Sequence, residues 1–183
     1  IETLIELSKI MGSDRSYTYE IRQKVALNPN TPIETLIELS KDGRYEVRKM
    51  VALNPNTPIK TLKELSKDGR YEVRIVIAEN PNTPIEILKE LSNDKDEIVR
   101  TGIASNTSTP IETLIELSKD GYPQFYGYRH VRSALAANPN TPIETLIELL
   151  KRDSNARSSI ARNPSTPIEI LKELSNDKDE IVR

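Results

Sequence analysis

The 183-residue chain has no cysteine, no tryptophan and a single histidine, His130. Without cysteine it can form no disulfide and no thiolate metal site. One histidine, with no Asp/Glu/His cluster converging on it, leaves a transition-metal centre without donors. Glycine is scarce at six residues. There is no Gly-rich phosphate loop, no G-x-S-x-G and no nucleophile with a base placed beside it. Carboxylates are plentiful, but they recur as a regular array. Acid/base catalysis needs a pair whose environments split their pKa values, and no pair is singled out. The expectation is a protein that is not an enzyme and uses no cofactor. No apolar run approaches the roughly 20 residues that span a bilayer, and no signal peptide is visible, so the expected location is cytoplasmic with no membrane partner. A net charge of −2 gives no strong pull toward nucleic acid.

What is present is repetition. NPNTPIETLIEL occurs twice letter for letter, at 28–39 and 138–149, and IEILKELSNDKDEIVR twice, at 85–100 and 168–183. Counting from the apolar residue after each Thr-Pro, repeats begin at Ile1, Ile33, Ile59, Ile85, Ile111, Ile143 and Ile168. The usual period is 26 residues; the first and fifth repeats are six longer and the sixth is one shorter. Self-similarity of this kind marks a stack of one small unit, each copy touching only its neighbours. The chain starts and stops in mid-repeat, which suggests an excerpt of a longer protein.

Each repeat opens with a helix start signal. Thr31 suits an N-cap, Pro32 the first helical position and Glu34 the third, the pattern of a capping box. Ile33, Leu36, Ile37 and Leu39 then share one side at helical spacing. Gly43 can supply the left-handed turn that stops a helix. This first helix, A, should be about ten residues, or roughly 15 Å. A second apolar pattern at Val47, Met50 and Val51 predicts a shorter helix, B, α or partly 3-10, ended by the next Asn-Pro. Neither would persist alone at such lengths. No period-2 strand of useful length occurs, so the chain reads as all-α.

The string N-P-x-T-P-x-E-x-L-x-x-L, completed by D and V-R-x-x-V-A-x-N, is seen at 28–39 followed by Asp42, Val47, Arg48, Val51, Ala52 and Asn54. It runs through nearly the whole chain and resembles the leucine-rich repeat variant family, whose usual unit is slightly shorter. The resemblance implies a right-handed α-solenoid, a superhelix of alternating α and 3-10 helices without a β-sheet, here of about seven tandem two-helix repeats. One member of that family carries an iron–sulfur cluster on a cysteine-bearing segment, a feature that cannot carry over to a cysteine-free chain. The Asp…Val-Arg pairing also resembles HEAT-like repeats, in which Asp and Arg form buried or half-buried ladders between units. The longer period leaves room for a true α-helix at B, which makes a HEAT-like double layer the second choice.

Positions that stay fixed among the copies serve the stack. Arg22, Arg48, Arg74, Arg100, Arg132 and Arg157 occupy one equivalent site. They could grip phosphates. They could equally tie repeats together, and the accompanying Asp42, Asp68 and Asp94 favour the tie, since guanidinium suits bidentate pairing with carboxylate. Asn28, Asn54, Asn80, Asn106, Asn138 and Asn163 form a second fixed row, expected to do turn chemistry. Glu38 and its equivalents would line an acidic edge of the A helices, a solvated face or a dock for a basic partner.

Variable positions carry the functional expectation. After each fixed Arg come Gln23, Lys49, Ile75, Thr101, Ser133 and Ser158, and four residues later Leu27, Leu53, Glu79, Ser105, Ala137 and Arg162. Residues four apart share a helical face, so a chemically graded stripe should run along the B helices, shaped either by a partner or by drift at exposed sites. The chain has seven tyrosines and one phenylalanine, and six of these sit in the two long repeats: Tyr17 and Tyr19 in the first, Tyr122, Phe125, Tyr126 and Tyr128 in the fifth, beside Arg129 and His130. Both inserts are expected as loops between A and B. Tyr and Arg dominate binding hot spots, though the rings could instead plug a widened gap between helices.

The expected function is a non-enzymatic scaffold that binds a protein or peptide along the B face and the aromatic loops. The alternative is a nucleic-acid-binding solenoid using the arginine row and the rings from Tyr122 to Arg129. The apolar first and last repeats also imply flanking domains or end-to-end self-association, because terminal repeats need a polar outer face.

Overall fold

A computed structural model describes residues 17–119, 128–154 and 156–177. Among these residues it contains twelve α-helices and no strand: α1 (Tyr17–Leu27), α2 (Ile33–Leu39), α3 (Tyr45–Leu53), α4 (Ile59–Leu65), α5 (Tyr71–Glu79), α6 (Ile85–Leu91), α7 (Glu97–Ser105), α8 (Ile111–Lys119), α9 (Tyr128–Ala137), α10 (Ile143–Arg152), α11 (Ala156–Arg162) and α12 (Ile168–Leu174). Even-numbered helices are A and odd-numbered helices are B. The chain forms two compact units, residues 1–80 and 81–183, and the division falls in a B-to-A turn.

In the first unit α1 packs on α3 and α3 on α5; in the second, α7 packs on α9 and α9 on α11. These B-on-B contacts are the most extensive in each unit, while the A helices make smaller contacts with the B helices next to them in sequence. This is the packing of an α-solenoid. The B helices are α-helical throughout, so the 3-10 alternation implied by the resemblance is absent from the described residues. Nine residues of B, as in α3, α5 and α7, allow the i→i−4 ladder to close before Asn-Pro stops it.

The core repeats with the sequence. Leu36, Leu88, Leu114 and Leu146 of the A helices and Val47, Val51, Val73, Ile77, Val99 and Ile103 of the B helices are fully buried. Burying one such side chain stabilises by about 1.5–3 kcal/mol, which lets seven-residue helices persist that would melt alone.

Three local expectations are corrected. The buried face of α2 is Thr35, Leu36 and Leu39, whereas Ile33 is 50% exposed and Ile37 38% exposed. Positions 33 and 37 stack one above the other on a neighbouring stripe, and that stripe faces outward. The same half-exposed isoleucine recurs at Ile59, Ile85, Ile111, Ile143 and Ile168.

Thr31 is not an N-cap: Pro32 holds that place, and no side chain caps α2. Thr31 Oγ1 instead donates to the Val25 carbonyl at 2.5 Å, in the last turn of α1. Thr57, Thr109, Thr141 and Thr166 do the same to Val51, Ile103, Leu135 and Ile160. Each threonine therefore adds a second bond to a last-turn carbonyl that already accepts the N–H of the following fixed asparagine.

No described glycine has positive φ, so Gly43 does not stop its helix by a left-handed turn. Helix α2 ends in a right-handed turn at Ser40, whose Oγ donates to the Ile37 carbonyl at 2.7 Å. A Cβ added at Gly43 or Gly69 would meet nothing within 4 Å. Gly43→Ala and Gly69→Ala should therefore each stabilise by about 0.4–1 kcal/mol by restricting the unfolded chain. Thermal melts would show this, and a lowered melting temperature would contradict it.

Candidate binding face

The fixed asparagines do two jobs at once. Asn54 Oδ1 accepts the Asn56 N–H at 2.9 Å, the turn chemistry expected of it. Its Nδ2 also reaches back one repeat, donating to the carbonyls of Ala26 at 2.7 Å and Asn28 at 2.9 Å. Asn138 bonds Ala104 and Asn106, and Asn163 bonds Ala136 and Asn138, in the same way. The backbone at Asn54 is ordinary, φ −72° and ψ 126°, so tolerance of unusual angles is not why asparagine stands there. Its value is a donor pair and an acceptor on one short side chain.

The arginine row is engaged with the stack. Arg22 Nε bonds Asp42 Oδ2 at 2.7 Å. Arg48 grips Asp68 with two bonds, Nε to Oδ2 at 2.5 Å and Nη2 to Oδ1 at 2.8 Å, and bonds the Asp42 carbonyl through Nη1. Arg74 and Arg100 donate to the carbonyls of Asp68 and Asp94. Arg132 faces Asp153 at 3.6 Å and Arg157 faces Asp177 at 3.1 Å. Burial alone would push the Asp68 carboxyl up, but the hydrogen bonds from Arg48 and from the Arg70 backbone N–H, with the charges of Arg48 and Arg74, bring its pKa below the ordinary carboxylate value. The hydrogen bond to Asp68 correspondingly raises the Arg48 pKa.

With the fixed arginines and asparagines engaged between repeats, the two variable rows of the B helices are open to solvent to different degrees. Gln23, Lys49, Ile75, Thr101, Ser133 and Ser158 are all half-buried. Leu27, Leu53, Glu79, Ser105, Ala137 and Arg162 are all exposed. One face of the B helices in each unit is thus accessible and changes chemically from repeat to repeat. The acidic row Glu38, Glu64, Glu90, Glu116, Glu148 and Glu173 is exposed as well.

The inserts are placed differently from expectation where they are described. Tyr17 and Tyr19 lie in α1, and Tyr128, Arg129 and His130 open α9, so these residues belong to B helices rather than to loops. The insertion lengthens the B helix in both repeats, to 11 residues in α1 and 10 in α9. His130 is exposed and Tyr19 half-buried. Tyr122, Phe125 and Tyr126 lie outside the described residues.

One constellation escaped the sequence reading. The Cζ of Arg44 lies 4.5 Å from the centre of the Tyr19 ring, and that of Arg70 lies 4.8 Å from the centre of the Tyr45 ring. The signal was present: each arginine belongs to a KDGRY copy and follows its tyrosine by 25 residues, one short of the period.

Among the described residues no group of His, Cys, Asp and Glu could hold a metal ion, and no helix is long and apolar enough to cross a membrane. An open cleft of about 790 Å³ in the second unit touches α10, α11 and α12, and its Arg157 and Asp177 are already paired with each other.

Fold and ladders together define the class: an all-α tandem-repeat protein built of two-helix units. No protein-family model matches the chain, and no curated protein sequence matches it.

Proposed function

We propose that the chain is a non-enzymatic repeat scaffold that binds a protein or peptide along the exposed face of its B helices. The observation that supports this is the division of labour among positions. The fixed arginines and asparagines are tied up between repeats, and the two graded variable rows of the B helices are half-buried and exposed. Solenoids use such continuous, position-specific surfaces to hold extended partners. The same division weakens the nucleic-acid alternative, because Arg22, Arg48 and Arg157 are already paired with aspartates. As to kinship, the α-helical B elements and the Arg–Asp ladder favour a HEAT-like repeat over the α/3-10 alternation of the leucine-rich repeat variant family.

The test is partner capture with Lys49→Glu and Leu53→Asp, and separately without residues 122–130. Both substitutions sit at accessible positions, so melting should be unchanged while affinity falls at least about tenfold, the size of one lost hot-spot contact. Capture should also persist in high salt. Capture untouched by every variant would reject the B face, and collapse in salt would favour nucleic acid.

A further inference from the structure

The edge of the first unit where A turns into B carries two guanidinium groups that the fold does not use. In α1 to α5 the fixed aspartates of KDGRY are consumed: Asp42 and Asp68 hold Arg22 and Arg48 through their side chains and take the N–H of Arg44 and Arg70 with their Oδ1 atoms. Arg44 and Arg70 themselves are exposed, and neither guanidinium has a carboxylate or carbonyl partner among the described residues. Glu46 and Glu72, two residues further on, are half-buried, and among the described residues they form no ion pair with them. Each guanidinium lies instead on a tyrosine ring of the preceding repeat.

Stacking matters for binding in two ways. It fixes a flexible side chain before any partner arrives, which removes part of the ordering cost. It also occupies only the face of the guanidinium and leaves the fork of N–H donors free for a planar anion. The sign of that partner follows from the surroundings. The segment from Lys41 to Arg74 carries nine basic and five acidic side chains in a chain whose net charge is −2. In the next repeat Asp96 replaces the arginine and caps α7 by accepting the Ile98 N–H at 2.9 Å. Among the described residues such stacks occur in the first unit alone.

We infer that the Tyr19/Arg44 and Tyr45/Arg70 stacks form a two-rung clamp for an acidic extended peptide. The inference rests on the scaffold reading and narrows it to one partner chemistry on one edge. Spacing selects the peptide. Helices packed side by side lie about 8–10 Å apart, which sets the separation of Arg44 and Arg70, the N-cap residues of α3 and α5. A polyproline II segment advances about 9 Å per three-residue turn and returns to the same face. Carboxylates at i and i+3 would thus meet both forks, whereas carboxylates at i and i+2 would not. Two rungs are too few to follow a nucleic-acid backbone, whose binders neutralise many phosphates.

Fluorescence anisotropy with a labelled Glu-Pro-Pro-Glu-Pro-Pro-Glu peptide tests the clamp on the full chain. The wild type should bind it, and should bind a Glu-Pro-Glu-Pro-Glu peptide of equal charge at least about fivefold more weakly. Arg44→Gln and Arg70→Gln should each weaken binding about tenfold, as the loss of a charge-assisted bidentate pair would. Arg→Lys at either site should rescue little, since the fork is lost while the charge is kept. Melting curves should stay superimposable with wild type, because a purely structural stack would lower the melting temperature and leave affinity alone. Equal affinity for the two peptides, indifference to both Gln variants, or tighter binding of a single-stranded oligonucleotide would overturn the clamp. If the peptide fails while Leu53→Asp still abolishes partner capture, the scaffold reading stands and the acidic-peptide clamp does not.

Discussion

Asn54→Ala should lower the stability of the first unit by about 3–4 kcal/mol, although it deletes only a small polar side chain. Asn54 is 3% exposed, and its amide makes two donor bonds and one acceptor bond. Each bond contributes about 0.5–1.5 kcal/mol net, and stranding the Ala26 carbonyl in a buried site adds about 1–3 kcal/mol. The bonds also join two repeats, so their loss weakens a nearest-neighbour interface, the term that makes a solenoid cooperative. Asn54→Asp preserves the shape and inverts the chemistry, since a carboxylate would face two carbonyl oxygens. Burial and that repulsion should raise its pKa above the ordinary value near 4. The folded form then prefers the proton. The deficit of this variant relative to wild type should be smallest below pH 4 and grow as pH rises through the raised pKa. Urea titrations at pH 3.5 and pH 7 measure both effects. A loss below about 1 kcal/mol for Asn54→Ala would mean that water replaces the ladder at no cost.

The same asparagine shows how far the sequence could be followed. Its recurrence marked it as structural, and Asn-Pro located the end of each B helix. The reach of Nδ2 to the preceding repeat was not legible, because it depends on how closely two B helices approach. That approach is set by the small alanine preceding it by two residues, as at Ala26 and Ala52, both fully buried. Threonine shows the complementary failure. Thr-Pro before a helix carries the spacing of an N-cap, yet the hydroxyl at Thr31 is captured by Val25, six residues back, because the 28–31 turn folds the chain onto the helix it has just left. Local pattern gives the helices their existence and approximate bounds; the choice of partner for a polar side chain is made by chain reversal.

Exposure followed the same division. Apolar spacing placed Ile33 with Leu36 and Leu39, but a seven-residue helix packed against its two flanking B helices buries a narrow stripe, and Ile33 falls beside it. For the candidate face, comparison among copies identified the variable rows, of which the structure exposes one and half-buries the other. The Arg44 and Arg70 stacks were hidden because they pair positions 25 residues apart, and a comparison of equivalent positions looks along the period, not one residue off it.

Removing the carboxylate of Asp68 should be the other large loss, about 3 kcal/mol for Asp68→Ala, and it should change the response to acid. The Asp68 side chain is 7% exposed and that of Arg48 17%. Breaking a pair this enclosed strands the remaining charge, which costs about 3–5 kcal/mol when burial is complete and somewhat less here. Asp68→Asn should recover part of the loss, since its side-chain oxygen can still accept the Arg70 N–H, as the Asp68 Oδ1 does at 2.9 Å. Arg48→Lys should recover little, because an ammonium cannot reproduce two parallel bonds. The pH dependence has a definite sign. The folded-state pKa of Asp68 is depressed, so the stability it contributes is fully present above the unfolded value of about 3.9 and disappears as pH falls through the folded value. Wild type should therefore lose stability more steeply below pH 4 than Asp68→Asn, and the two curves should converge in acid. Parallel curves from pH 7 to pH 2 would show that the pair does not hold the repeats together. Convergence, with Arg44→Gln and Arg70→Gln melting like wild type, would place the stabilising charge on the inner arginines and leave the outer pair free for a partner.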